Sequence, residues 1–203
     1  MTPLRRVAIA DLNASPQEIA GLKRLLARGR LAAIPTETFY GLAADPRSAE
    51  GVRRVFEAKR RDDRKPLPVV FARREQLERL GAAVPEDVLA RYLVLWPAPL
   101  NVILPLKRPI AASRGRASLA VRIPACPDLV SLLEAIGPVT ATSANRADEP
   151  PLSEPDEVAR TFEGMVALLV DGGPTPGGKP STLLDATVDP PVVLRPGAFP
   201  WPG

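Results

Sequence analysis

Residues Ser118 to Ile123 alternate, so that in an extended strand Leu119, Val121 and Ile123 share one face and Ser118, Ala120 and Arg122 the other. A hydroxyl and a guanidinium on one face are either an ordinary solvated surface or, where that face lines a cleft, a fixed clamp for a carboxylate. Three more polar sets stand apart from it. Thr140, Thr142, Ser143 and Asn145 occupy a point where a strand runs into a turn, and such side chains serve either a ligand or only their own backbone. Ser181 and Thr182 open a strand after a Gly-rich loop, and Arg195 precedes Pro196-Gly197.

Positive charge is concentrated. The window Arg53 to Lys65 holds seven basic residues (Arg53, Arg54, Lys59, Arg60, Arg61, Arg64, Lys65) and three acidic ones (Glu57, Asp62, Asp63), so it alone carries an excess equal to the chain's formal net charge of +4. A local excess of this kind suits a polyanion such as nucleotide phosphate or RNA. The chain has no histidine and one cysteine, which excludes a Cys/His zinc site, a histidine-based triad and an internal disulfide. Cys126 stands between Ala125 and Pro127 with no imidazole to activate it, and reads as structural. Gly173, Gly178 and Lys179 match the start of a phosphate loop, but Pro180 stands where the hydroxyl belongs and a β-rich run follows instead of a helix. A Walker-type NTPase is therefore rejected.

The elements that must position these residues follow from periodicity and punctuation. Ser15, Pro16 and Glu18 read as N-cap, N1 and N3 of a helix with an apolar stripe at Ile19, Leu22, Leu25 and Leu26, stopped at Gly29. Strands are expected at 31–34, 67–71, 100–104, 118–123, 139–142, 166–170, 182–187 and 192–194. Helices are expected from Ala49 through Val52, Val55, Phe56 and Lys59, and over 74–80, 85–95, 128–136 and 155–162. Between the first strand and the second helix lies the polar turn Thr36-Glu37-Thr38. Interleaved strands and helices imply an α/β protein built on a twisted, mixed sheet with flanking helices. The Gly/Pro-rich loop 174–180 is a hinge or lid candidate.

With 203 residues and 45% apolar content the chain can bury one core, and residues 1–203 are read as one domain. No apolar run approaches the roughly 20 residues of a membrane span, which implies a cytoplasmic, soluble protein.

Taken in order, Pro35-Thr36-Glu37-Thr38-Phe39-Tyr40-Gly41-Leu42, Lys59-Arg60-Arg61 with Lys65-Pro66-Leu67, Ser118 to Pro124, Ser143-Ala144-Asn145, Ser181-Thr182 and Arg195-Pro196-Gly197 resemble the YrdC family of threonylcarbamoyl-adenylate synthases, in its short bacterial form. The resemblance spans roughly residues 15 to 197. It implies a YrdC-like α/β fold with a basic central cavity, and an enzyme that forms threonylcarbamoyl-AMP from L-threonine, bicarbonate and ATP with Mg2+ accompanying the nucleotide. It further implies partners in tRNA modification, tRNA itself or the enzymes that act on it. By motif matching, Lys59, Arg61 and Lys65 fall near the triphosphate, with Lys59 and Arg61 as the catalytic cations. Ser118, Ser143, Asn145 and Arg195 fall on the nucleotide, and Thr38, Arg122 and Ser181 on threonine.

Several positions depart from the family pattern. Ala98 and Asn101 stand where Gly and Thr are common, Cys126 replaces the His of a His-Pro pair, and the loop 146–151 differs throughout, Pro151 replacing a hydroxyl residue. Two other readings are a YrdC-like paralog for a different carbamoyl adenylate and a non-catalytic RNA-binding module. Against the latter, the aromatic residues are scattered instead of interleaved with the basic cluster.

Overall fold

The computed structural model describes residues 4–60 and 65–201. Arg61, Arg64 and the two aspartates between them, part of the basic window, lie outside the described residues.

Two mixed sheets form the frame. The first has the order β1-β9-β2-β3-β8, from β1 (Arg5–Ala8), β9 (Val166–Asp171), β2 (Leu31–Ile34), β3 (Gly41–Ala43) and β8 (Thr142–Ser143). The second has the order β11-β10-β5-β6-β4-β7, from β11 (Val192–Arg195), β10 (Thr182–Asp185), β5 (Leu100–Pro105), β6 (Ser118–Arg122), β4 (Val69–Val70) and β7 (Val139–Thr140). The single sheet read from the sequence is thus two. The expected strand over 139–142 is also two, because the chain leaves the second sheet after Thr140 and enters the first at Thr142. Thr140 seams this crossing: its hydroxyl donates to Leu42 O and accepts from Ala44 N, and its amide donates to Ala44 O.

Helices close the faces. Pro16 opens α2 (Pro16–Ala27) at N1, and the Ser15 hydroxyl accepts from Glu18 N at 3.3 Å. The reciprocal half of the expected capping box is absent, since Glu18 pairs with Arg5 instead. Gly29, at φ +67, ends the turn in a conformation that favours glycine. Together α1 (Ile9–Ala14), α2 and α6 (Pro127–Ile136) bury Leu12, Leu22, Leu26, Leu129, Leu132 and Leu133 against Ala32, Ile34, Leu168 and Val170 of the first sheet. The larger cluster joins α3 (Ala49–Lys59), through Val52, Val55 and Phe56, to Leu31 and Leu42 of the first sheet and Val69, Leu100, Val102 and Val121 of the second. Helices α4 (Arg74–Leu80), α5 (Glu86–Leu93) and α7 (Pro155–Thr161) complete the set.

β6 follows the alternation expected of it: Leu119 and Val121 are buried in the core, while Ser118, Ala120 and Arg122 face a cavity. No helix among the described residues is long and apolar enough to cross a membrane.

Candidate functional site

The cavity has a volume of about 620 Å³ and is walled by both sheets. The first sheet supplies Gly41, Thr142 and Ser143, together with Thr36 and Thr38 from the turn before β3. The second supplies Asn101 and Ile103 from β5, Ser118, Ala120 and Arg122 from β6, Leu183 from β10, and Leu194 and Arg195 from β11. Lys65, Arg116 and Ser181 join the wall from loops, Lys65 and Arg116 being exposed. Of the residues singled out in the sequence, Thr38, Lys65, Ser118, Arg122, Ser143, Ser181 and Arg195 all line this one space.

Register explains how residues far apart in sequence meet. Leu183 on β10 is opposite Arg195 on β11 and Asn101 on β5, and the antiparallel pairing of β5 with β6 carries the same row to Arg122. The row Arg195, Leu183, Asn101, Arg122 thus crosses four strands with a guanidinium at each end. Asn101 Oδ1 accepts from Arg122 Nη1 at 3.2 Å. On its other side, Arg122 Nε stands 3.1 Å from Glu37 Oε1, with side chains 5% and 8% exposed, so the carboxylate paired with Arg122 among the described residues is buried with it. This contact is an ion pair without hydrogen-bond alignment, and Nε and both carboxylate oxygens have no aligned partner. Burial pulls the Arg122 pKa below its ordinary value, Glu37 opposes the shift, and Arg195 adds to it.

Arg195 is exposed as a residue, but its guanidinium turns back to donate to Ser181 O at 2.8 Å, and desolvation lowers its pKa. Gly197 makes this fold-back possible: a methyl group there would lie 2.5 Å from Thr182 N and 2.6 Å from Ser181 C. Ala198 N donates to Pro180 O, and Thr182 Oγ1 donates to Phe199 O, so the segment after β11 is stitched along residues 180–182.

Lys59 and Asn145 differ from the expectation. Lys59 is 2% exposed, and its ammonium donates to Ser143 O at 2.5 Å, Asn145 O at 3.0 Å and Asn145 Oδ1 at 2.9 Å. Asn145 Oδ1 also accepts from Ser143 Oγ at 2.7 Å, and Nδ2 donates to Arg146 O and Glu149 O. Neither residue lines the cavity; both fasten the loop that presents Ser143. The basic window is likewise less free than its composition suggests. Arg53 pairs with Glu50 and Glu57, and Arg54 with Glu50, along α3.

The 174–180 loop is docked, Gly177 N donating to Thr38 O at 2.7 Å and Thr175 N to Ser153 O at 3.0 Å. Cys126 is the half-buried N-cap residue of α6, and burial pushes its thiol pKa up, which suits the structural role. Tyr40 OH donates to Gly173 O and accepts from Gly172 N, and burial pushes its pKa up to about 12. Glu37, Asn101 and Arg116 were assigned no role from the sequence. Asn101 stands two residues before Ile103, and the alternation of β5 puts both on the cavity face.

Two mixed sheets enclose a hydroxyl-rich cavity in an α/β protein, and a guanidinium stands at either end of the cross-strand row that lines it, an arrangement that can hold an anionic group. The Sua5/YciO/YrdC family model, described as telomere recombination, matches residues 24–197. The chain belongs to the Sua5/YciO/YrdC family. It is 37% identical over 193 residues to the threonylcarbamoyl-AMP synthase of Bacillus subtilis, covering 93% of this chain and 56% of that protein. It is 40% identical over 175 residues to that of Pyrococcus abyssi, covering 85% and 52%, and 34% identical to that of Thiobacillus denitrificans, covering 81% and 89%. The chain therefore spans about half the length of the first two relatives. The structure of P. abyssi Sua5 complexed with L-threonine superposes with a TM-score of 0.83 at 36% identity, over 97% of this chain and 57% of that one. Escherichia coli YciO, at 23% identity and a TM-score of 0.80, shares the fold.

Proposed function

We propose that residues 1–203 act as one cytoplasmic YrdC-like domain that makes threonylcarbamoyl-AMP and pyrophosphate from L-threonine, bicarbonate and ATP, for threonylcarbamoyladenosine modification of tRNA. The observation that carries this reading is the cross-strand row with Arg122 buried at one end and Arg195 at the other, inside a cavity large enough for an amino acid and a nucleotide.

In this reading Arg122 takes the threonine carboxylate, with Thr38 and Ser181 beside it. Ser118, Ser143 and Arg195 take the nucleotide. Lys65 at the mouth and Arg61 stabilise the triphosphate, and Lys59 and Asn145 serve the nucleotide through the Ser143 loop that they hold. The threonine nitrogen adds to the carbon of bicarbonate, water leaves, and the product is an anionic carbamate. A carbamate oxygen then attacks the α-phosphorus, a new P–O bond forms, and the bond to pyrophosphate breaks. The nucleophile is already an anion, so the step needs charge screening and alignment instead of a strong base. A site without histidine can supply both.

Magnesium would arrive as part of the nucleotide, held by its phosphate oxygens. Among the described residues no group of three or more His, Cys, Asp or Glu is placed to hold a metal ion, and the carboxylate nearest Arg122 is taken by it. The test is pyrophosphate release in ATP, magnesium and bicarbonate, with and without L-threonine. Threonine-dependent release supports the synthase. Release indifferent to threonine would point to another acceptor.

A further inference from the structure

We infer that Asn101 is a positioning residue, which fixes the Arg122 guanidinium in the orientation that receives the carboxylate of the amino-acid substrate. This rests on the proposed role of Arg122. Arg122 leaves β6 at 4% exposure, and a buried guanidinium holds a useful direction only if its N–H groups have acceptors. Glu37 approaches the Nε edge at 3.1 Å and supplies charge, but without hydrogen-bond alignment, so it does not by itself fix the plane of the guanidinium. The aligned protein acceptor among the described residues is Asn101 Oδ1, on Nη1.

With Nε facing the enclosed carboxylate and Nη1 held by Asn101, Nη2 is left with no acceptor among the described residues, on a side chain that lines the cavity. The substrate carboxylate would then meet the Nη1/Nη2 end of the guanidinium instead of its Nε edge. Asn101 is itself 3% exposed and lies directly across from Arg122, so its amide cannot turn away into bulk solvent. At this position threonine keeps one oxygen that could accept from Nη1, and valine has the same shape with none.

The test is a calorimetric titration of L-threonine and, separately, of ATP into the wild type, Asn101→Thr and Asn101→Val, with melting temperatures recorded for all three. The expected result is threonine binding about tenfold weaker in Asn101→Val, as for loss of a hydrogen bond to a charged group. Asn101→Thr should regain most of that loss, and ATP affinity should stay within about twofold throughout. Equal threonine affinities in the Thr and Val variants would overturn the assignment, since packing at this position would then suffice. A parallel loss of ATP and threonine affinity in Asn101→Val would overturn it as well. If the wild type itself fails to bind threonine while binding ATP, the reading of Arg122 fails first, a result distinct from either of these.

Discussion

The ammonium of Lys59, in the last turn of α3, holds the side chain and the carbonyl of Asn145 across the gap to the loop after β8. A lysine at 2% exposure that donates to three oxygens is a fastening between the helix and the Ser143 loop as much as a source of charge. Lys59→Ala is expected to weaken ATP binding more than threonine binding and to cost about 2–3 kcal/mol of stability, as for hydrogen bonds from a buried charged group. Calorimetric titration and urea denaturation check the two effects separately. An unchanged ATP affinity would contradict the placement of Ser143 on the nucleotide.

Arg122→Ala is expected to raise the threonine requirement sharply and to leave ATP affinity nearly intact. Steady-state kinetics with each substrate varied in turn measures the split. A variant whose two requirements rise together would have lost the cavity as a whole.

Glu37→Ala leaves Arg122 buried without its counter-charge and should destabilise the protein by about 3–5 kcal/mol. The double variant Glu37→Ala/Arg122→Met removes the stranded charge and should recover much of that loss. Denaturant titration of both variants tests the pair, and an equally unstable double variant would show that Glu37 acts by packing alone.

Gly197→Ala introduces a methyl group against the backbone of Ser181 and Thr182, neither of which can move without disturbing β10. The expected cost is about 1–3 kcal/mol of overpacking, accompanied by lower activity as Ser181 and Arg195 shift. Thermal denaturation and pyrophosphate release measure the two.

Tyr40 links stability to alkaline pH. Its folded pKa, pushed up to about 12, lies above the ordinary value of 10.0, so its contribution is present in full below about pH 10. Between these values the unfolded chain releases the proton and the folded one keeps it, and the contribution is lost as the pH rises through about 12. Wild-type stability should therefore fall more steeply from pH 10 to pH 12 than that of Tyr40→Phe, as followed by denaturant midpoints across that range.

Local rules carried much of the fold. The alternation of β6 sorted core from cavity residues, and Ser15 with Pro16 marked the start of α2, because both depend on near neighbours. The pairing of strands does not. Nothing between Val139 and Ser143 announces that Ala141 parts two sheets, since the switch is set by hydrogen bonds to Ala44, Pro68 and Leu42. Two elements at the start, β1 and α1, escaped notice because they are only 4 and 6 residues long and Ala8 offers no side-chain cap between them. Most of the candidate cavity wall was visible in the order of its motifs. The burial of Lys59 could have been read from its position on the stripe of Val52, Val55 and Phe56. Glu37 and Asn101 were not legible as Arg122's neighbours, because one arrives from a loop and the other by cross-strand register.

The most direct measurement is the mass of the nucleotide product formed from L-threonine, ATP and magnesium with bicarbonate carrying carbon-13. The account predicts threonylcarbamoyl-AMP, heavier by one neutron than the product made from unlabelled bicarbonate, and formed only when threonine is present. A nucleotide product of unshifted mass, or an adenylate that forms equally without threonine, would contradict it.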